Sequence, residues 1–123
     1  MEDVLAYVAA GLVGLWGVSH AVPTRAVVAG FGEISADSRR VLVQEWLAEA
    51  VTMWSFAALA IVVTAVGGGT SIAAAAYRVT AGALLALAVL TTLTGARTSV
   101  VWFKLCPVLL TGSAVLLLVA GPA

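Results

Sequence analysis

Four long runs of apolar residues, separated by short polar stretches, dominate the pattern along the 123-residue chain. The runs cover about residues 4–22, 42–66, 72–94 and 99–120. Each matches or exceeds the roughly 20 residues that an α-helix needs to cross the hydrocarbon core of a bilayer. The pattern therefore predicts an all-α fold, in which one domain forms an integral membrane bundle of four helices.

The breaks between the runs carry recognisable helix signals. Residues 23–41 form a polar loop with some apolar positions, which favours either a short interfacial helix or a plain loop. Ser35 or Asp37 is the expected N-cap of the second long helix, and the glycines at 67–69 are expected to end it. Pro107 falls inside the fourth run. A helix that started there would be too short to span the core, so we expect a longer helix kinked at this proline.

Composition agrees with a membrane protein. Hydrophobic residues make up 63% of the chain and charged residues 10%, against about 25% charged in soluble domains. The formal net charge is zero and no basic stripe is present, so nucleic-acid binding is not expected. One cysteine excludes an intrachain disulfide. The acidic start of the chain does not fit a cleaved secretory signal, and the first run is expected to remain as a membrane helix.

The basic residues predict an orientation. Five of the six flank or lie within the first and third connections, namely Arg25, Arg39, Arg40, Arg97 and Lys104. Only Arg78 lies near the opposite end. The positive-inside rule then predicts an inner (cytoplasmic) membrane protein with these two connections in the cytoplasm and both termini outside.

The candidate chemistry gathers at that same end of the predicted bundle. Glu45 and Glu49 lie four residues apart at the entry to the second helix, and His20 ends the first. These three are the candidate catalytic residues, because ionisable groups at membrane depth are costly and usually face a cavity or a partner. The candidate binding residues are Arg97, Lys104, Trp46, Trp102 and Cys106. We expect Glu45 or Glu49 to form an ion pair with Arg97 or Lys104.

Three functions remain open at this point. The first is a cytoplasm-facing pocket that binds or transforms a small apolar or amphipathic molecule, with a cavity of a few hundred Å³ beside Glu45 or Glu49. The second is an accessory or structural subunit, whose charged end docks a cytoplasmic partner protein; a membrane partner subunit or a second copy of the chain is also an expected partner. The third is a small transporter or proton pathway. No metal or other cofactor is expected, because two glutamates at this spacing without Glu-x-x-His repeats differ from the di-iron pattern.

Four short motifs carry a resemblance to known proteins. They are HAVP at 20–23, EWLAE at 45–49, TGART at 94–98 and KLCP at 104–107. Together they resemble a group of small four-helix bacterial membrane proteins, and the plan is distantly similar to the DoxX-like superfamily, in which an acidic residue opens the second span. The resemblance implies four spans and an accessory role beside a redox enzyme at the membrane.

The orientation is testable by site-directed labelling. A cysteine at Thr70, in the second connection, should react with an impermeant maleimide added to intact cells. A cysteine at Ala36, in the first connection, should react only after the cells are opened. Labelling of the Ala36 position and protection of the Thr70 position would reverse the predicted topology.

Overall fold

A computed structural model describes residues 1–121 and contains five α-helices. They are α1 (Glu2–Ala21), α2 (Thr24–Ala29), α3 (Ala36–Gly67), α4 (Ser71–Leu93) and α5 (Val101–Ala120), with a short 3₁₀ helix at Gly95–Arg97. No strand occurs within residues 1–121. The four long helices are long and apolar enough to cross a membrane. The all-α prediction is confirmed, and the chain is a multi-pass membrane protein.

Local sequence signals account for where the helices begin and end. The Ser35 side chain accepts a hydrogen bond from the backbone N–H of Ser38, as expected of the N-cap of α3. Thr70 caps α4 in the same way. Between them Gly69 adopts a φ of +78°, which side-chain-bearing residues rarely tolerate. Pro107 lies inside α5, which begins six residues before it. The first connection contains the short helix α2 rather than only a loop.

The long helices pack antiparallel to their neighbours. α1 packs extensively against α3 and α5, and α5 packs against α4, whereas contacts between α3 and α4 are fewer. The helix ends show this arrangement. Gly68 after α3 lies beside Asp3 of α1, and Gly121 after α5 lies beside Ala74 of α4. The C-terminal ends of α1 and α4 therefore lie at the same end of the bundle as the N-terminal ends of α3 and α5.

Small side chains form most of the core. The buried positions recur every three or four residues along each long helix, and most are alanine. On α1 they are Ala6, Ala9, Ala10, Val13 and Gly17. Small residues at a helix interface let backbones approach closely, and packing of this kind replaces the hydrophobic driving force that is absent between helices in lipid. Large apolar side chains such as Val79 and Val101 lie on the outside, where the bilayer contacts them.

One buried hydrogen bond joins the two helices with the sparser contact. The Thr64 hydroxyl of α3 lies 2.7 Å from the Tyr77 hydroxyl of α4, and Thr64 also donates to the carbonyl of Ala60. Both hydroxyl-bearing residues are at most 5% exposed. A satisfied polar pair in apolar surroundings stabilises a helix contact by about 1 kcal/mol. This pair holds the end of the bundle that lies opposite His20.

Gly17 and Gly11 on α1 provide a matched test of close packing. A Cβ at Gly17 would lie 2.7 Å from the Trp54 indole nitrogen and 3.3 Å from the Ala50 carbonyl oxygen, whereas nothing lies within 4 Å of one at Gly11. Gly17→Leu should lower stability in detergent by about 1–3 kcal/mol, as overpacking does. Gly11→Leu should leave it nearly unchanged. Equal losses in reversible denaturation would contradict the close approach of α1 and α3.

Candidate functional site

Trp46 of α3 covers the last turn of α1 and makes two contacts with His20. Its indole N–H donates to the His20 carbonyl oxygen at 2.8 Å. Its ring stacks on the imidazole, with centroids 3.9 Å apart and planes 16° from parallel. The first contact satisfies a carbonyl that has no partner within the helix at its C-terminal end. The second fixes the plane of the imidazole, so Trp46 positions the backbone and the side chain of His20 together.

Glu49, one helical turn after Trp46, lies beside the edge of the imidazole. Its Oε2 is 3.4 Å from Nε2 of His20, and the side chains are 29% and 10% exposed. The two atoms are close enough for an ion pair when His20 is protonated. The geometry does not form a hydrogen bond, and Nε2 has no hydrogen-bond partner within residues 1–121. A buried polar atom without a partner is unusual and marks this position as a candidate ligand contact.

A small cavity of about 170 Å³ opens beside this pair. Its polar lining residues are His20, Glu49, Thr91, Thr94 and Cys106. Trp16, Trp46 and Phe103 form its aromatic wall. Phe103 also contacts Trp46 at a centroid distance of 5.9 Å. Every long helix contributes to the cavity, which is therefore a feature of the whole bundle end.

A large cavity of about 760 Å³ adjoins the small one. Trp16, His20, Trp46 and Phe103 line both. The other lining residues are apolar or small and come mainly from α2, the segment around it and the start of α5: Ser19, Pro23, Ala26, Val27, Gly30, Phe31, Val100 and Trp102. The volume lies in the range of small-molecule sites. A polar end and an apolar space therefore meet at the His20 and Trp46 rings.

Glu45 does not reach this site. It is exposed, and its Oε1 accepts a long hydrogen bond of 3.4 Å from the Gln44 side chain. Glu45 and Glu49 share one face of α3, as their spacing predicts. Four residues nevertheless advance the helix by about 6 Å. Because Trp46 already lies over the last turn of α1, Glu45 projects beyond the packed bundle.

The predicted ion pair between a glutamate and Arg97 or Lys104 is wrong. Among the described residues, neither Glu45 nor Glu49 pairs with Arg97 or Lys104; at this end of the bundle Glu49 lies beside His20, and Arg40 pairs with Asp37. Arg97 and Lys104 are exposed and line neither cavity. Lys104 is two residues before buried Cys106, and positions two apart point to opposite sides of a helix. Both cations avoid the desolvation that a position inside the bundle would cost.

The remaining binding candidates divide between the cavities. Cys106 is buried at the small cavity, where its sulfur accepts a hydrogen bond from the Trp16 indole N–H at 3.2 Å. Trp102 is 69% exposed and lines the large cavity but not the small one. Sequence analysis did not select Trp16 as a site residue. Its position four residues before His20, on the same helix face, is the signal that identifies it.

The Thr91 and Thr94 hydroxyls of the small cavity both donate to carbonyls of the preceding turn of α4. Thr91 donates to Leu87 at 2.9 Å and Thr94 donates to Leu90 at 2.8 Å. No group of three or more His, Cys, Asp and Glu side chains within residues 1–121 is arranged to hold a metal ion. The site therefore offers an imidazole, a carboxylate and aromatic faces, a set suited to proton exchange and to hydrogen bonding with a small molecule.

Comparisons of the chain with protein-family models, with curated proteins and with solved structures gave no match.

A double-mutant cycle tests whether His20 and Glu49 interact. Stabilities of His20→Phe, Glu49→Gln and the double variant should be non-additive by about 0.5–3 kcal/mol, the range for residues in contact. The same cycle with Glu45→Gln should be additive within about 0.5 kcal/mol. Reversible unfolding in detergent micelles gives these values. Additivity at Glu49, or equal coupling at both glutamates, would contradict the pairing.

Proposed function

We propose that this membrane protein binds a small amphipathic molecule drawn from the bilayer, with the His20–Glu49 pair contacting its polar head. The observation that carries the proposal is the unpartnered Nε2 of His20 at the junction of the two cavities. The large cavity suits an apolar body, and the small cavity suits a head that forms hydrogen bonds. An apolar pocket with a few convergent polar groups is the usual form of a small-molecule site.

The cavities favour this function over a purely structural role for the bundle end. A structural end would have its helix termini packed together and each carboxylate paired. Here Trp46 and Phe103 hold the ends apart around open space, and Glu49 has no hydrogen bond to His20. The large cavity is an open cleft, whose lining includes exposed Phe31 and Trp102, and His20 lies at its inner end. A space of several hundred Å³ beside a buried imidazole therefore supports a binding role.

The orientation given by the basic residues completes the proposal. With the first and third connections in the cytoplasm, the site lies at the inner leaflet of the cytoplasmic membrane. Arg25, Arg97 and Lys104 are exposed at this end, where anionic lipid headgroups attract cations. They fix the depth of the bundle, whereas the cavity residues contact the ligand. The acid–base character of His20 and Glu49 also makes proton transfer to a bound molecule chemically available.

Photolabelling with a small apolar diazirine tests the pocket directly. In phosphatidylcholine vesicles, labelling of Phe103, a half-buried residue that lines both cavities, should saturate with probe concentration, because a pocket has a fixed number of binding sites. Labelling of Val62, an exposed apolar residue outside both cavities, should rise without saturation, because lipid contact has no such limit.

Two variants on α2 supply the control for that experiment. Ala26 lines the large cavity and Ala29 does not, although both are exposed. Ala26→Trp should remove most of the saturable labelling, and Ala29→Trp should preserve it. Unsaturable labelling of Phe103 in the native protein would contradict the pocket.

A further inference from the structure

The hydrogen-bonding capacity of the small cavity is unbalanced. Its indole and hydroxyl donors already serve other groups: Trp16 donates to Cys106, Trp46 donates to the His20 carbonyl, and Thr91 and Thr94 donate to helix carbonyls. What remains is Nε2 of His20, which donates or accepts according to the tautomer, and the Glu49 carboxylate, which only accepts. A carboxylate has about four lone-pair sites, and in the described structure Glu49 accepts no hydrogen bond from His20. A head group that completes this lining must donate hydrogen bonds.

The charge of the lining points in the same direction. Glu49 is the acidic residue at the small cavity, and among residues 1–121 no lysine or arginine lines either cavity. His20 offsets the carboxylate only when protonated. An ionised carboxylate in largely apolar surroundings is costly without a counter-charge. A cationic head supplies that counter-charge, a neutral head leaves the cost in place, and an anionic head raises it.

The aromatic wall adds a third and independent feature. Trp16, Trp46 and Phe103 border the same small cavity, each from a different helix. A cation over an aromatic face is attracted by the ring quadrupole, most strongly for tryptophan and where water is displaced. An aromatic wall with one carboxylate and no competing cation is the arrangement that recognises ammonium groups.

We infer that the ligand is an amphipathic amine, whose protonated nitrogen lies in the small cavity against Glu49 and whose apolar body fills the large cavity. This inference rests on the proposed function and names the chemical class that the same pocket takes. The head donates to the Glu49 carboxylate. The Nε2 atom of His20 faces the same space and accepts a further hydrogen bond in its Nδ1-protonated tautomer. The apolar residues of α2 and α5 contact the apolar body of the amine.

Competition among decylamine, decanol and decanoate tests the assignment, because they share one chain length and differ in the head group. Each is added to the native protein in phosphatidylcholine vesicles with the diazirine probe, and labelling of Phe103 is measured after normalisation to Val62. Decylamine should halve the labelling at a concentration at least about tenfold below that of decanol, equivalent to about 1.4 kcal/mol. Decanoate should compete least, because Glu49 repels it.

Variants at the two glutamates separate the site from general effects of charge on the vesicle. Glu49→Gln should abolish the amine preference, whereas Glu45→Gln should keep it, since Glu45 lines neither cavity. Glu49→Asp keeps the charge and should keep part of the preference. The comparison in the native protein alone decides the inference if Glu49→Gln fails to fold.

The outcomes distinguish the two proposals. Saturable labelling that decanol or decanoate blocks as well as decylamine overturns the amine assignment and leaves the pocket in place. An amine preference that persists in Glu49→Gln also overturns the assignment. Absence of saturable labelling in the native protein overturns the pocket itself, and the amine assignment with it.

Discussion

The contact of Trp46 with His20 determines the geometry of the functional end. One indole binds the last turn of α1 through its N–H and aligns the imidazole through its ring. Since Glu49 follows Trp46 by three residues, this contact also sets which carboxylate lies beside Nε2. If Trp46 packed one turn higher or lower along α1, Glu49 would no longer lie beside Nε2 of His20. This contact therefore sets the relative positions of His20 and Glu49 within a cavity to which all four long helices contribute.

Close packing elsewhere makes that contact possible. Alanine and glycine along α1 and α3 bring the two backbones close together. Beside Trp54 the space is so small that a side chain at position 17 would clash with the indole. Lipid supplies little hydrophobic force between helices, so the bundle depends on such fits and on a few buried hydrogen bonds. The Thr64–Tyr77 pair holds the far end. At the near end, the rings of Trp16, Trp46 and Phe103 line both cavities between the helices.

The distribution of polar groups separates two tasks at one end of the molecule. Exposed arginines and Lys104 meet water and headgroups, where they are well solvated. His20 and Glu49 lie within the bundle, where their interactions are stronger because the surroundings are less polarisable. The indole and hydroxyl donors on the wall of the small cavity are occupied by other protein groups, whereas the Glu49 carboxylate accepts no hydrogen bond from His20. This imbalance is the basis of the amine preference that we propose for the pocket.

The sequence by itself determined the four helices, their membrane character and the end at which the polar residues gather, because these depend on local hydrophobicity and helix periodicity. The helical position of Pro107 follows from the same local rules, which also limited the N-cap of α3 to Ser35 or Asp37, and the structure shows Ser35. The four-residue spacing in the sequence also placed Glu45 and Glu49 on one face of the helix. It did not distinguish them, because both satisfy the same spacing.

Only the tertiary structure decided that Glu49 faces His20 while Glu45 projects past Trp46, and that Arg97 and Lys104 stay outside. Those outcomes depend on the axial offset between α1 and α3 and on the rotation of α5. Packing sets both quantities across distant parts of the chain, and no local pattern encodes them.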